Sequence, residues 1–198
     1  MTDVLLINPG SSDEIYQDLA KKYSAIEPPT WSLLLAESCR SKGYRVGILD
    51  CCAENLGYKQ ASKRIEEINA KVTLFVVYGQ NPNAGTTGMI GASRTSETLK
   101  KELGNQLIGF VGSHISALPK EVLKFTKTDM VFLNEGVYSL HDVLKNIKVK
   151  KDWKEVKGIG FLDHENSIII NPSMPIVPQE RMDQDLPGYA WDLLPFKE

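Results

Sequence analysis

The chain has 198 residues, 42% of them hydrophobic, which suffices for one domain with its own core and a small additional segment. Its formal net charge of -2 at pH 7 gives no basic surface, so neither nucleic acid nor an anionic membrane is expected as a partner. No stretch approaches the ~20 apolar residues of a membrane-spanning helix, and the N-terminus does not resemble a signal peptide. We therefore expect a cytoplasmic protein.

Short apolar runs rich in β-branched residues alternate with helical patterns along the first 150 residues. The runs predict five buried strands, at Val4 to Asn8, Arg45 to Asp50, Val72 to Val77, Leu107 to Val111 and Met130 to Leu133. Strands that alternate with helices need crossover connections, which give a parallel sheet covered on both faces. The predicted fold is α/β, a doubly wound (Rossmann/flavodoxin-like) five-stranded parallel sheet.

Four stripes of apolar residues at helical spacing lie between or after these strands. The first helix is expected to begin after Pro28-Pro29-Thr30 and to end at Gly43, and a short helical turn is expected after Pro119. The other stripes are Tyr58, Ala61, Ile65 and Ile68; Ser96, Leu99 and Leu103; and Leu140, Val143, Leu144 and Ile147.

The texture of the sequence changes near Lys151. The string VKGIGFLDHENSIIINP predicts two strands joined by a polar turn at Asp163 to Asn166, and a proline-dotted segment follows it. The expected organisation is a main domain over residues 1–150, a β-hairpin appendage over 151–180 and a linker over 181–198 toward a domain outside this chain.

Ligands of open α/β sheets bind beyond the carboxyl ends of the strands. Here those ends lead into four polar loops, NPGSSDE, YGQNPNAGTTGM, GSHISALP and NEGVYS. Loops rich in Gly, Asn, Ser and Thr offer backbone amides and short hydroxyls, which suit a ligand with phosphate or amide groups. None of them carries a recognisable reaction centre, so no catalytic residue is predicted.

Several familiar sites are excluded by their missing motifs. The sequence has no G-x-G-x-x-G after the first strand and no G-x-x-x-x-G-K-[ST]. Cys39, Cys51 and Cys52 lack the spacing of metal ligands and fit a reducing compartment, so no metal-binding residue is predicted. Two other interpretations stay open, a flavodoxin-like module that binds a flavin or nucleotide and a degenerate interaction domain without a cofactor.

Taken together and in order, the loops and their flanking strands carry a resemblance to one family. The strings concerned are VLLINPG, EPPTWSLLLAESCRSKGYRVGILD, VGSHISALPKEVL against a family pattern of G-G-P-H-x-T-x-x-P, TDMVFLNEGVYSL against D-x-V-x-x-G-E-G-E, and DLPGYAWDLLP. On these strings the chain resembles the N-terminal cobalamin-binding domain of cobalamin-dependent radical SAM enzymes. Val111 and Ser113 depart from the first of the two family patterns, and Asn134 and Val137 depart from the second.

The resemblance implies that cobalamin is the cofactor and that a radical SAM barrel domain, in cis or in trans, is the partner, with methyl transfer as the expected reaction. No C-x-x-x-C-x-x-C motif occurs in the sequence, so the iron-sulfur cluster and S-adenosylmethionine belong to the missing domain. The first-strand loop has no histidine where related folds supply a cobalt ligand. The resemblance therefore implies cobalamin held without a histidine from that loop.

The expected cofactor-binding residues follow from the matching loops. They are Asn8, Pro9, Gly10, Tyr78, Gly79, Gln80, Asn81, Gly112, Ser113, His114, Ser116, Leu118, Glu135, Gly136 and Tyr138. In this interpretation His114 is a hydrogen-bonding residue in the wall of the site, Gly112 provides space and Ser116 is a second polar contact. The remaining histidines, His141 and His164, are expected to be ordinary surface residues.

Overall fold

The computed structural model of the protein describes residues 1–10, 27–79 and 82–195, apart from the side chains of residues 82–84. Its strands form one sheet in the order β2-β1-β3-β4-β5-β6-β7. Their bounds are β1 Val4–Asn8, β2 Val46–Asp50, β3 Val72–Val77, β4 Ile108–Gly112, β5 Met130–Phe132, β6 Ile159–Leu162 and β7 Ile168–Ile170. The pairs among β1 to β5 are parallel, and β6 and β7 pair antiparallel to their neighbours.

The helices of the described residues lie between these strands, except the last, which follows β7. They are α1 Thr30–Ser41, α2 Tyr58–Ile68, α3 Pro82–Leu103, α4 Ser113–Ala117, α5 Pro119–Phe125, α6 Val137–Lys148 and α7 Met182–Asp185. Short 3-10 turns lie at Trp153–Glu155, Gln179–Arg181 and Trp191–Leu193. Among the described residues, no helix has the length and apolar character that crossing a membrane requires.

The sheet has a separate hydrophobic core on each face, as the doubly wound prediction requires. One core is formed by α1, α6 and the side chains of β1, β3 and β5 that point to that face, including Leu35, Leu140 and Phe132. The other is formed by α2, α3 and α5 with the opposite side chains, including Phe75 and Phe110, whose ring centroids lie 5.1 Å apart. Strands buried on both faces explain the nearly continuous apolar runs of the sequence.

The expected count of five strands is not confirmed, because the described residues form a sheet of seven strands. The two strands expected in an appendage instead continue the main sheet, since Phe132 of β5 pairs with Ile159 of β6. Gly160 makes this approach possible, because a Cβ there would meet Val131 Cγ2 at 3.0 Å. Sequence spacing shows that two strands are near one another, but it does not show which third strand they join.

Two segments expected as loops are helical. Most of the long polar segment after β3 belongs to α3, and much of the segment after β4 forms α4. Pro82 occupies the first helical position of α3, where its fixed φ favours a helix. Gly85 and Gly88 are poor helix formers, but they let the helix approach the end of β3, where their Cβ atoms would lie 3.3 Å from Val77 O and 3.2 Å from Val77 Cγ1. Tertiary contact therefore outweighs local propensity.

The winding direction reverses between β1 and β3. From β1 the chain passes through α1 to β2 at one side, and from β3 it passes through α3 to β4 at the other side. The helices α1 and α3 lie on opposite faces, and both begin at the carboxyl edge of the parallel strands. This topological switch point is where an open α/β sheet forms its ligand cleft.

Candidate functional site

The ends of β1 and β2 are joined by a buried carboxylate. The amide nitrogen of Asn8 donates a hydrogen bond of 2.8 Å to Asp50 Oδ1, which also accepts from the backbone N–H groups of Cys52 and Ala53 at 3.1 Å each. Asp50 is 1% exposed. Asp50 is not among the predicted cofactor-binding residues, although an aspartate that ends a strand before a turn is a recognisable signal.

The loop that follows β1 lies against this turn. Pro9 O accepts a hydrogen bond from the Cys52 thiol at 3.4 Å. A Cβ on Gly10 would lie 3.2 Å from Leu56 O and 3.3 Å from Cys51 O, so this position has little room for a side chain. Asn8, Pro9 and Gly10 thus form a compact wall at the β1 and β2 end of the cleft.

Tyr78 and Gly79 follow β3 at the centre of the same edge. The Tyr78 ring packs against Trp31 with centroids 5.3 Å apart, and its hydroxyl donates to Asn134 O at 2.9 Å. Burial, with a smaller contribution from the charge of Glu135, raises the pKa of Tyr78 to about 12. Tyr78 is therefore a neutral hydrogen-bond donor at pH 7. The predicted contacts Gln80 and Asn81 lie outside the described residues.

At the end of β4 the chain passes very close to β3. A Cβ on Gly112 would overlap the carbonyl oxygen of Val77 and lie 2.9 Å from its carbonyl carbon. Gly112 therefore provides space for the neighbouring strand, so that a larger residue there would disturb the sheet itself. The next residue, Ser113, lies under α3, where its Oγ would be 3.0 Å from a Cβ on Gly85.

The segment after β4 makes two polar contacts across the edge. His114 Nδ1 lies 3.3 Å from the hydroxyl of Thr86 in α3, and the two share a hydrogen bond. Ser116 Oγ accepts a hydrogen bond of 2.9 Å from the backbone N–H of Asn134, which follows β5. Leu118, between α4 and α5, is 43% exposed. The predicted pair of His114 and Ser116 thus lies between the loops after β3 and β5.

The loop after β5 has a conformation that constrains its residues. Asn134 and Gly136 adopt positive φ values of 56° and 73°, and a Cβ on Gly136 would lie 2.9 Å from Val111 Cγ2. Between them, the Glu135 carboxylate accepts a hydrogen bond of 2.8 Å from Val177 N. The hydroxyl of Tyr138 donates to Asp185 Oδ2 at 2.7 Å. The side chains of Glu135 and Tyr138, both predicted cofactor contacts, are therefore hydrogen-bonded to the C-terminal segment.

The three histidines lie in different surroundings. His114 is at the carboxyl edge, and His164 is exposed in the turn between β6 and β7. His141 was expected on the surface, but the structure places it in a largely enclosed position, where Nε2 lies 3.0 Å from Ser38 Oγ. Burial, with the nearby charge of Lys42, lowers its pKa. Within residues 1–10, 27–79 and 82–195, no three His, Cys, Asp or Glu side chains form a group that could hold a metal ion.

The carboxyl edge therefore provides hydrogen-bonding groups and close backbone approaches. Most of the predicted residues that the structure describes share this edge, because the four strands that carry them run parallel and end together. A polar, amide-rich ligand fits donors and acceptors such as the imidazole of His114 and the hydroxyl of Ser116.

Comparison with known proteins identifies the fold. Neither a protein-family model nor a curated protein sequence matches this chain. Among solved structures, the chain is similar to the cobalamin-dependent S-adenosylmethionine radical enzyme OxsB with aqua-cobalamin bound, with a TM-score of 0.69 and 17% identity over 98% of this chain and 24% of that one.

The radical S-adenosylmethionine methyltransferase TsrM from Kitasatospora setae is also similar. The structure with cobalamin and a [4Fe-4S] cluster bound gives a TM-score of 0.63 and 17% identity over 90% of this chain and 30% of that one. The structure with tryptophan substrate and a SAM analogue gives 0.65 and 15% over 87% and 30%. This chain thus spans only 24% to 30% of the length of these proteins. It shares the mixed α/β fold of a region within cobalamin-dependent radical SAM enzymes.

Proposed function

We propose that this chain binds cobalamin across the carboxyl edge of its parallel strands and presents it to a radical SAM domain, in cis or in trans, for methyl transfer. One observation carries the proposal: 98% of the chain aligns with OxsB, whose structure contains aqua-cobalamin, at a TM-score of 0.69. The TsrM structure with bound cobalamin supports it independently over 90% of the chain.

The residues of the edge fit a corrin and its nucleotide tail in their chemistry. Cobalamin carries peripheral amides and a phosphate, which need a broad polar rim, and the ends of β1, β3 and β4 provide such a rim. His114 and Ser116 would hydrogen-bond the cofactor, while Pro9, Gly10 and Gly79 would let it approach the backbone. When bound, the cofactor supplies a cobalt centre that can carry a methyl group. The role of this chain's own residues is to hold and orient it.

The sequence bears on which groups could bind the cobalt. The sequence has no histidine in the segment after β1, where related folds supply the lower cobalt ligand, and no C-x-x-x-C-x-x-C motif for an iron-sulfur cluster. We infer that the first-strand loop supplies no histidine ligand to the cobalt. The cluster and S-adenosylmethionine would belong to the partner domain.

The proposal is tested by reconstitution of the 198-residue chain with hydroxocobalamin, followed by desalting and a visible spectrum. A parallel sample receives flavin mononucleotide. Retained corrin absorbance supports the proposal, whereas retained flavin would support a flavodoxin-like function instead. A protein that retains neither would contradict cobalamin binding by this chain.

The site within the fold is tested with a matched pair of variants. His114→Ala removes one hydrogen-bonding group from the edge, and we expect cobalamin affinity to fall about three- to tenfold. His164→Ala makes the same chemical change in an exposed turn at the opposite edge and should leave affinity unchanged. Equal affinities for both variants would show that the binding site lies elsewhere. Gly112 is unsuitable for this test, because any side chain there overlaps the carbonyl oxygen of Val77.

A further inference from the structure

The C-terminal segment, residues 177–193, is packed against the domain. Val177 and Ala190 are 7% and 0% exposed and belong to the hydrophobic core that contains α1 and α6. The backbone N–H of Ala190 donates to Leu33 O in α1 at 3.3 Å. Arg40 of α1 holds Asp192 through two hydrogen bonds of 2.6 and 3.0 Å. We call residues 177–193 the tail segment.

A buried carboxylate lies at the middle of this contact. Asp185 is 0% exposed, and its two oxygens accept hydrogen bonds from Arg181 at 2.7 Å, Tyr138 at 2.7 Å and Lys42 at 2.9 Å. These donors come from the tail segment itself, from α6 and from the end of α1. Because an unpaired buried carboxylate is strongly destabilising, such a group requires all its partners to be in place. Asp185 thus ties three elements together.

The backbone of the same residue is also held. Ser38 donates its hydroxyl proton to Asp185 O, and His141 Nε2 lies 3.0 Å from the same hydroxyl oxygen. Since Ser38 has a single proton to donate, His141 Nε2 carries a hydrogen and donates to Ser38. The hydrogen bonds from Arg181, Tyr138 and Lys42 keep the pKa of Asp185 well below its usual range, so its carboxyl group stays ionised at any ordinary pH.

We propose that Asp185 anchors the tail segment, and that Glu135 and Tyr138 are positioning residues for this segment rather than contacts of the cofactor. The assignment of an alternative role to these two residues rests on the proposed function, whereas the anchor itself does not. Glu135 and Tyr138 were candidates for the cofactor site because they lie beside the strand ends. The proposal gives them a different role.

The contacts of Glu135 and Tyr138 carry this step. The Glu135 carboxylate accepts from Val177 N, and the Glu135 backbone carbonyl accepts from Trp31 Nε1 at 3.2 Å. The single hydroxyl proton of Tyr138 goes to Asp185. Release of Glu135 toward a ligand would leave Val177 N–H without its acceptor, and release of Tyr138 would remove one of the two donors to Asp185 Oδ2. The tail segment therefore competes directly with any cofactor for these groups.

The anchor is tested by hydrogen exchange on the full chain, with peptides that cover residues 177–193. Asp185→Asn keeps the shape of the side chain and removes its charge, and Asp185→Ala removes its acceptors. We expect exchange in the tail segment to become at least about tenfold faster, while the strands stay protected. Asp183→Asn is the matched control, because it removes the same charge from an exposed residue of the same helix and should leave exchange unchanged.

Tyr138→Phe and Glu135→Gln separate positioning from cofactor contact. Each should speed exchange in the tail segment about two- to tenfold and leave cobalamin affinity within about twofold of the wild type. In the Asp185→Asn background, Tyr138→Phe should add little, because its partner is already altered. If Tyr138→Phe acted only by loosening the packing, its effect on exchange would add to that of Asp185→Asn.

Two results would overturn the proposal. One is unchanged exchange in the tail segment for both Asp185 variants. The other is a Tyr138→Phe or Glu135→Gln chain that loses cobalamin severalfold while its tail segment stays protected. Exchange is measured without cofactor, so a wild-type chain that retains no cobalamin would contradict the proposed function and leave the anchor to be decided by exchange alone.

Discussion

The two edges of the parallel sheet use their polar side chains in different ways. At the amino edge, Asp129 accepts two hydrogen bonds from Lys100 at 2.7 and 2.8 Å and one from the backbone N–H of Ile108 at 2.7 Å. The Gln106 amide donates to Ala70 O and to the hydroxyl of Thr73, both at 3.0 Å. These polar groups satisfy one another and the backbone.

At the carboxyl edge, polar side chains connect loops instead. Tyr78 donates to the backbone of Asn134, Ser116 accepts from it, and His114 meets Thr86 across the gap to α3. The close approaches are made by backbone atoms at Gly112 and Gly10. The polar side chains of the amino edge therefore stabilise the sheet, whereas the carboxyl edge combines close backbone contacts with exposed polar contacts between loops.

The largest expected effect on stability concerns the close contact between β3 and β4 at the carboxyl edge. Gly112→Ala should lower the free energy of unfolding by at least about 3 kcal/mol, because its Cβ overlaps Val77 O and forces β3 and β4 apart. Urea unfolding at pH 7 measures the change. Gly57→Ala is the control, since its nearest contact would be Gln60 Oε1 at 3.7 Å, and a change within about 1 kcal/mol is expected. Equal losses would show that the β3–β4 approach is not the cause.

A smaller loss is expected at the amino edge. Asp129→Ala leaves the N–H of Ile108 without its acceptor and removes the carboxylate partner of Lys100, which keeps only its hydrogen bond to Gln106 O. It should lower the free energy of unfolding by about 2 kcal/mol. Glu102→Ala, an exposed carboxylate of α3, should change it by no more than about 0.5 kcal/mol. Because Asp129 is at the edge opposite to the proposed site, cobalamin retention by the folded variant should be unaffected. A loss of retention would contradict the separation of the two edges.

The amino edge should also show acid sensitivity through Asp3. Burial by itself raises the pKa of Asp3, but hydrogen bonds from Lys71 and Arg45 outweigh it and lower the pKa to about 2, from 3.8. The stabilisation is fully present above pH 3.8 and is lost as the pH falls toward 2. We expect a loss of about 1 kcal/mol, since Arg45 is largely exposed to solvent, and Asp3→Asn should not show it. Urea midpoints between pH 5 and pH 2 for both chains provide the comparison.

The smallest effect on stability is expected from an exposed polar contact of the carboxyl edge. Ser116→Ala removes one exposed acceptor of the Asn134 N–H, so the free energy of unfolding should fall by no more than about 0.5 kcal/mol. Cobalamin affinity should fall about two- to fivefold if the hydroxyl also contacts the cofactor. A stability loss as large as that of Asp129→Ala would mean that both edges serve the same structural purpose.

The alternation of apolar runs and helical stripes determined most of the architecture. All five parallel strands were predicted within one residue of their observed ends, because each is a short apolar run with few polar residues and all but the edge strand β2 are largely buried. The start of α1 followed from Pro29 and its end from Gly43, which adopts a φ of 80°. Local sequence is sufficient to predict these features, since short apolar runs form buried strands and proline and glycine mark the helix ends.

Other features depend on contacts between segments that are distant in sequence. Asp185 lies 143 residues from Lys42 and 47 from Tyr138, and no local pattern links them. The helix α3 begins within a segment rich in glycine because Gly85 and Gly88 can approach Val77. Likewise, the contact of His141 with Ser38 joins residues 103 positions apart in the sequence. Local sequence thus determined where the strands, and with them the candidate site, lie. Only the tertiary structure decided which side chains at that edge contact neighbouring loops and which contact the tail segment, because hydrogen-bond partners are determined by proximity in space.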